Sequence, residues 1–363
     1  MRFLHTADWQ IGMQAAHAGA AAERVRAARI DTARRVLALA RQRQVDFIIL
    51  AGDTFEHNAL SRDQIQSVAN LLAQASCPLL VLPGNHDLLE PGCVWHRPMW
   101  KDLGTVSVLS ERSPFYFKDV EILPCPVTAK TSTQNPTAWI QPGSKDRIRI
   151  VIAHGCLQTS SFGSDDHPIP LDTPARTQAD YVALGHWHST TIYNRRIAYS
   201  GTHEPTKFGE PGSGNVLLVE IDRPGHEPRI EQLPTGQLRW LRWGDDAPVS
   251  APGELAQLAS RLRAVDDPGR TLLELKLSGV LFEKDREHLP AIHKTCEGFL
   301  FSRIDGSALK PEPHNDSWIL GLPPGPVRET AARLKQMAAK PGREGEIATQ
   351  ALLQLFHYAQ EAA

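Results

Sequence analysis

Five short polar sequences, all placed directly behind apolar runs, constrain this chain more than anything else in it. They are Asp8-Trp9-Gln10, Gly52-Asp53, Gly84-Asn85-His86-Asp87, His154-Gly155 and Gly185-His186-Trp187-His188. The runs before them span 2–6, 47–51, 79–82, 149–153 and 181–184. They are short, apolar and bounded by turn residues, which is the pattern of strands buried on both faces. The polar sequences therefore belong in loops at the carboxyl ends of strands, the rim where open α/β sheets bind ligands.

The segments between support that placement. From Glu23 to Gln44, Val25, Ala28, Ala33, Val36, Leu37 and Ala40 recur three or four apart with arginines between them, predicting an amphipathic helix whose basic face is solvated. Ser61 is positioned to cap a second helix running to about Gln74. Strand and helix alternate, so βαβ units with a parallel core are expected. The middle of the chain changes character, with short strands at 106–109, 115–117, 120–123, 197–200 and 215–221. These suggest added or antiparallel sheet, and the polar stretch 128–144 reads as a surface loop. Asp222-Arg223-Pro224-Gly225 marks a boundary, after which a strand-like segment to about Trp243 closes the first domain.

A chain of 363 residues exceeds one ordinary core. The expected division is a large domain over 1–245, an α+β unit over 251–321, and two C-terminal helices over 327–363 behind the Pro-rich 322–326. Those helices are core or a docking element for a partner. No stretch approaches the roughly 20 apolar residues of a membrane helix, and Met1 to His5 reads as strand rather than leader. Five scattered cysteines with no C-x-x-C pair fit a reducing compartment, so a cytoplasmic protein without membrane attachment is expected. The net charge of −2 lacks the basic excess of chains that grip nucleic acid alone, so such a substrate would need a local patch or a partner subunit.

The polar loops combine hard Asp and Asn oxygens with several imidazoles, a donor mixture suited to Mn²⁺, Fe or Zn²⁺ and not to Ca²⁺. A carboxylate in such a set can bridge two ions, and ions roughly 3.5–4 Å apart clamp the attacking and leaving oxygens of a phosphoester. The ordered set D-x-Q, GD, GNHD, H and GHxH resembles the signature of the calcineurin-like metallophosphoesterases. Within them the chain is most similar to SbcD-type DNA repair exonuclease subunits. That closer likeness rests on His5-Thr6-Ala7-Asp8-Trp9, Gly52-Asp53-Thr54-Phe55, the run from Ser200 to Phe208 and the small unit that follows.

The resemblance implies a four-layer α/β/β/α sandwich with a small α+β capping domain and two divalent metals, Mn²⁺ foremost. It makes Asp53 the bridging carboxylate. Asp8 and His188 would hold the first metal; Asn85, His154 and His186 would hold the second. His86 would act as general acid or charge stabiliser, oriented by Asp87. Phosphodiester hydrolysis by metal-bound hydroxide is implied, on DNA, with an SbcC-like ATPase as partner; a homodimer stays open.

Gln10 departs from the family pattern, which places a histidine there. A neutral amide oxygen is the weaker donor, so a weakened first position is expected; His17 and His57 nearby read first as surface or packing residues, with compensation at the metal as the lesser alternative. Arg195, Arg196 and Lys207 are candidate phosphate-backbone contacts and His203 a candidate lining residue. Trp95, Trp100, Trp187 and Tyr193 could stack on bases, although packing is the plainer role. Two other readings stand beside the nuclease: a phosphodiesterase or phosphatase for small phosphoesters, and a metal-binding scaffold of low activity that serves an ATPase.

Overall fold

A computed structural model describes residues 1–143, 146–159, 166–244, 248–312 and 317–361; Ser144, ending the loop expected over 128–144, and Asp245, the expected domain boundary, lie outside them. The chain divides into two compact units, Met1–Leu238 and Arg239–Ala363.

The first unit contains, in chain order, β1 (Arg2–Thr6), α1 (Ala22–Gln42), β2 (Phe47–Ala51), α2 (Arg62–Leu72), β3 (Leu79–Leu82), α3 (Met99–Asp102) and β4 (Val106–Val108). There follow β5 (Phe115–Phe117), β6 (Val120–Cys125), β7 (Ile148–His154), α4 (Thr173–Thr177), β8 (Tyr181–Gly185), β9 (Thr191–Asn194), β10 (Ile197–Tyr199), β11 (Asn215–Glu220) and β12 (Arg229–Pro234). Two six-stranded sheets form, in the orders β12-β11-β1-β2-β3-β4 and β5-β6-β7-β8-β10-β9. The βαβ expectation holds for β1 to β4, which are mutually parallel; β11 and β12 add antiparallel strands at one edge. In the second sheet β6, β7, β8 and β10 are parallel, while β5 and β9 are antiparallel at the edges.

The strand period of two assigns alternate residues to alternate cores. Leu4, Ile48, Leu50, Leu79 and Val81 face α1 and α2, meeting Ala33, Val36, Leu37, Ile65 and Leu72. Their neighbours Phe3, Phe47, Ile49, Leu80 and Leu82 face the second sheet, meeting Ile122, Ile150, Ile152 and Ala183. The far side of that sheet carries Val151, Ala153, Val182 and Leu184 beneath Ile140, Leu157, Ile169 and Ala179. Continuous apolar strands are thus explained: both sheets of this α/β sandwich are covered on both faces. Ser61 starts α2 as expected, in a capping box with Gln64.

The second unit holds β13 (Arg239–Trp243), α5 (Glu254–Arg263), β14 (Thr271–Leu281), α6 (His288–Cys296), β15 (Phe301–Pro311), α7 (Ser317–Gly321), α8 (Pro326–Ala338) and α9 (Arg343–Glu361). The strand expected to close the first domain, β13, belongs here instead. It pairs in parallel with β14, and Leu241 and Trp243 pack on the core that α5 and α6 share with β14. Among the described residues no helix is long and apolar enough to cross a membrane.

Candidate metal centre

The five polar sequences lie at the carboxyl ends of strands of the first unit: three follow β1, β2 and β3, and the other two begin on the last residues of β7 and β8, His154 and Gly185. The loop after β1 is stitched to the loop after β2. Asp8 N–H donates to the Gly52 carbonyl at 3.0 Å, Gln10 N–H to that of Asp53 at 2.9 Å and Ile11 N–H to that of Thr54 at 2.9 Å. Close approach dictates the glycines. A Cβ on Gly52, whose φ is +95°, would lie 2.1 Å from His154 Nδ1, and one on Gly84 would lie 2.2 Å from Asp53 Oδ1.

Ligand atoms of Asp8, Asp53 and His154 lie within 4.8 Å of one another, and all three residues are buried. His154 Nδ1 is 3.0 Å from the Ala51 carbonyl, which only accepts, so Nδ1 carries a proton. Its Nε2 then faces two further acceptors, Asn85 Oδ1 at 3.0 Å and Asp53 Oδ2 at 3.4 Å. Asn85 cannot present its amide hydrogens there, because Nδ2 donates to the Lys130 carbonyl at 3.3 Å. His186 Nδ1 adds a fourth atom, 3.3 Å from the same Asn85 oxygen. Lone pairs that converge on one buried point require a cation at their centre. A proton on Nε2 is one such cation and a divalent ion is another, so the donor set fits a metal.

The electrostatics follow from this crowding. Burial opposes a charged His154, but Asp53 and Asp8 outweigh it and push the imidazole up to about 9. Asp53 is also fully buried, yet His154 and His86 hold it below the usual carboxylate range. Burial raises Asp8 to about 6, opposed by His154 and His188. Burial and the charge of His154 lower His186 to about 4. Backbone strain concentrates here too: Asp8 (φ 55°), Gln10 (43°), Asp53 (52°) and His186 (99°) all adopt left-handed φ. Such conformations cost about 1–3 kcal/mol apiece and persist where surrounding bonds over-determine them. One such bond system is the His186 N–H, which donates to the Asp8 carboxylate at 3.0 and 3.2 Å.

His86 stands at the exposed side of this cluster. Its N–H donates to Asp53 Oδ1 at 2.9 Å, its Nδ1 lies 2.9 Å from the Glu56 carbonyl, and its side chain is 29% exposed. Asp87 does not orient it. Buried completely, the Asp87 carboxylate takes the nearest unpaired backbone donors, Gly84 N–H at 2.7 Å and Phe55 N–H at 3.1 Å, and so ties two ligand loops together. Burial, with the neighbouring Asp53 charge, pushes Asp87 up to about 7. The group that holds the His86 ring is the Glu56 carbonyl.

Other sequence expectations are corrected by the sheet. Arg195 and Arg196 form the β9–β10 turn. Because β10 runs parallel to β8 with Ile197 opposite Val182, that turn lies level with the start of β8, at the end opposite the ligand loops. There Arg195 pairs with Glu227 and Arg196 with Asp180. His203 does not line the site as a contact: it is fully buried, stacked on Trp9 at 4.9 Å, with Nε2 on the Arg29 carbonyl at 2.9 Å. Trp95 and Trp100 are packed with Phe55 in the core, whereas Trp187 is 41% exposed. Lys207 is exposed on the segment that also carries Thr206 and Glu210, and His17 Nε2 lies 2.9 Å from the Thr206 carbonyl.

Two residues escaped the sequence reading. Glu210 accepts from His188 Nδ1 at 2.6 Å, the second carboxylate–imidazole contact of the centre. Arg29 sits on the supposedly solvated arginine face of α1. It is buried and donates to the carbonyls of Asp8 at 3.1 Å, Trp9 at 2.9 Å and Glu204 at 2.8 Å. Neither has a short-range signal, since their partners lie 22 and up to 175 residues away.

A model of the calcineurin-like phosphoesterase family matches residues 1–190. Among solved structures, TT1561 of Thermus thermophilus is similar at 11% identity and a TM-score of 0.42, over 64% of this chain and 98% of that one. A second solved structure matches with the same figures.

Proposed function

Because the chain belongs to the calcineurin-like phosphoesterase family, a metal-dependent phosphoester hydrolase family, we propose that it is a Mn²⁺-dependent DNA nuclease of the SbcD type. It acts with an SbcC-like ATPase. Asp53 would serve both of two metals, with Asp8, Gln10 and His188 holding the first and Asn85, His154 and His186 the second. Bound metals supply positive charge for the phosphoryl oxygens and acidify a water. His86, reachable from solvent and donating from Nδ1 to the Glu56 carbonyl, would as the imidazolium give its Nε2 proton to the leaving oxygen.

The observation that favours a polymer over a small phosphoester is Trp187. It is an indole 41% exposed between two cluster histidines, where a base beside the scissile phosphate could stack. Exposed Lys207 offers a phosphate contact on the same rim. With a net charge of −2 the chain has little grip of its own, which favours a partner that holds the duplex. In the second unit, Val327 and Tyr358 expose apolar surface on a groove of about 800 Å³ that Trp318, Leu322 and Leu355 also line, a surface suited to that partner.

The test is hydrolysis by the pure chain with Mn²⁺ on single- and double-stranded DNA, alone and with the ATPase, beside a panel of nucleotides and aryl phosphates. Polymer preference that falls in Trp187→Ala, with aryl phosphate turnover unchanged, is the expected result. Folded, metal-loaded protein inert on DNA in every mixture overturns it; turnover confined to the aryl phosphates assigns a small-molecule phosphoesterase.

A further inference from the structure

The first metal position, with the amide of Gln10 where an imidazole is expected, has the weaker neutral donor, and the carboxylate of Glu210 lies behind its His188. Oε1 of Glu210 accepts from His188 Nδ1 and from Thr206 Oγ1, both at 2.6 Å. Oε2 accepts from the N–H of Thr206 at 2.9 Å and of Lys207 at 3.3 Å. The side chain is 5% exposed, so four donors fix a buried carboxylate. Both oxygens already accept from Thr206 and Lys207, so Glu210 faces His188 as an acceptor and the ring carries its proton on Nδ1, which leaves Nε2 as a lone pair.

The contrast with the other position is informative. His154 is oriented by a neutral backbone carbonyl, that of Ala51. His188 is oriented by an anion, and an anionic acceptor raises the basicity of the opposite ring nitrogen. We propose that Glu210 is a positioning residue that fixes His188 as a strengthened donor to a divalent cation, offsetting the weak donor Gln10 at the same position. This rests on the assignment of His188 to the first metal.

The experiment is calorimetric titration of the metal-free chain with Mn²⁺, in the wild type, Glu210→Gln, His188→Ala, Gln10→His and Gln10→His/Glu210→Gln. Loss of a hydrogen-bond partner behind a metal ligand typically weakens binding about 10–100-fold. The expected pattern is that loss in Glu210→Gln, confined to one of two sites, and a smaller loss from the same change in the Gln10→His background. Equal losses in both backgrounds, or none in Glu210→Gln while His188→Ala abolishes one site, overturn the proposal. No effect of His188→Ala overturns instead the ligand assignment beneath it. If Glu210→Gln does not fold, the ring tautomer decides: long-range ¹H–¹⁵N spectra of wild-type protein, metal-free and Zn²⁺-loaded, should show His188 protonated at Nδ1. An Nε2–H tautomer overturns the proposal.

Discussion

Replacing Arg29 by Met should damage the first unit more than any other single arginine change on α1. The guanidinium is 2% exposed, and its main acceptors are the carbonyls of Glu204 (2.8 Å), Trp9 (2.9 Å) and Asp8 (3.1 Å), with Thr202 Oγ1 at 3.2 Å. Each buried carbonyl left without a donor costs about 1–3 kcal/mol, so three of them set a ceiling of roughly 9 kcal/mol. Against this stands the desolvation of the guanidinium itself, which burial lowers to about 10, still charged at neutral pH. Relief of that penalty and entry of water return part of the loss, leaving an expected destabilisation of about 3–5 kcal/mol. Lysine should recover only part, since an ammonium lacks the planar fork that reaches separate carbonyls. Urea unfolding of the metal-free chain, followed by circular dichroism, measures this as an earlier first transition. Mn²⁺ affinity should fall with it, because two of the released carbonyls, those of Asp8 and Trp9, belong to the loop that carries the Asp8 carboxylate. A shift below about 1 kcal/mol with wild-type Mn²⁺ binding would falsify the view of Arg29 as the brace of that loop.

Other consequences can be measured directly. His86→Ala should lower turnover about 10²–10⁴-fold while Mn²⁺ stoichiometry stays at the wild-type value, whereas Asp53→Ala should lose both; metal analysis beside kinetics separates them, and loss of metal in His86→Ala would make that imidazole a ligand. Asp87→Ala should destabilise by roughly 2–4 kcal/mol through two orphaned buried N–H groups, and the surviving fraction should keep the wild-type pH profile, because the Glu56 carbonyl still holds His86. For pH, the folded value of His154, about 9, lies above its unfolded 6.5, so its contribution is present below 6.5 and is lost as pH rises toward 9. Asp87, raised from 3.8 to about 7, loses its contribution as pH rises between those values, so it reaches only the lower edge of the His154 window. The Tm of metal-free protein should therefore fall between pH 6.5 and 9 while the increment from added Mn²⁺ grows, since the ion replaces the proton; a flat Tm in calorimetry across that window refutes the coupling.

What could be read in the sequence was whatever has a local period or a local motif. The parallel strands, the Ser61 cap and the donor-rich loops are of that kind, because burial on both faces forces continuous apolar runs and the glycines beside Asp53 and Asn85 are required by contact. What escaped depends on encounters between distant segments. The Arg29 side chain looks solvated by periodicity, and only the neighbouring Trp9 and Glu204 carbonyls make it internal. Asp87 adjoins His86 in sequence, yet its carboxylate faces Gly84 and Phe55 backbone. Arg195 and Arg196 lie near His188 in sequence but at the wrong end of the strand, a reversal that the β9–β10 hairpin imposes. The limit between the two units moved for a similar reason: β13 alternates well enough to close either sheet, and its partner decides which.

The ligand loops have a kinetic consequence as well. Asp8, Asp53 and Asn85 hang from the first sheet, and His154 and His186 from the second, so the donor set exists only when the two sheets have docked face to face. Asp8 meets the His186 backbone across 178 residues of chain, a long loop to close and a contact that comes late in folding. A divalent ion thus finds little in a partly folded chain to bind, and the moment of its capture times the docking of the sheets. Metal uptake during refolding, followed in a stopped-flow instrument, is a clock for that single event.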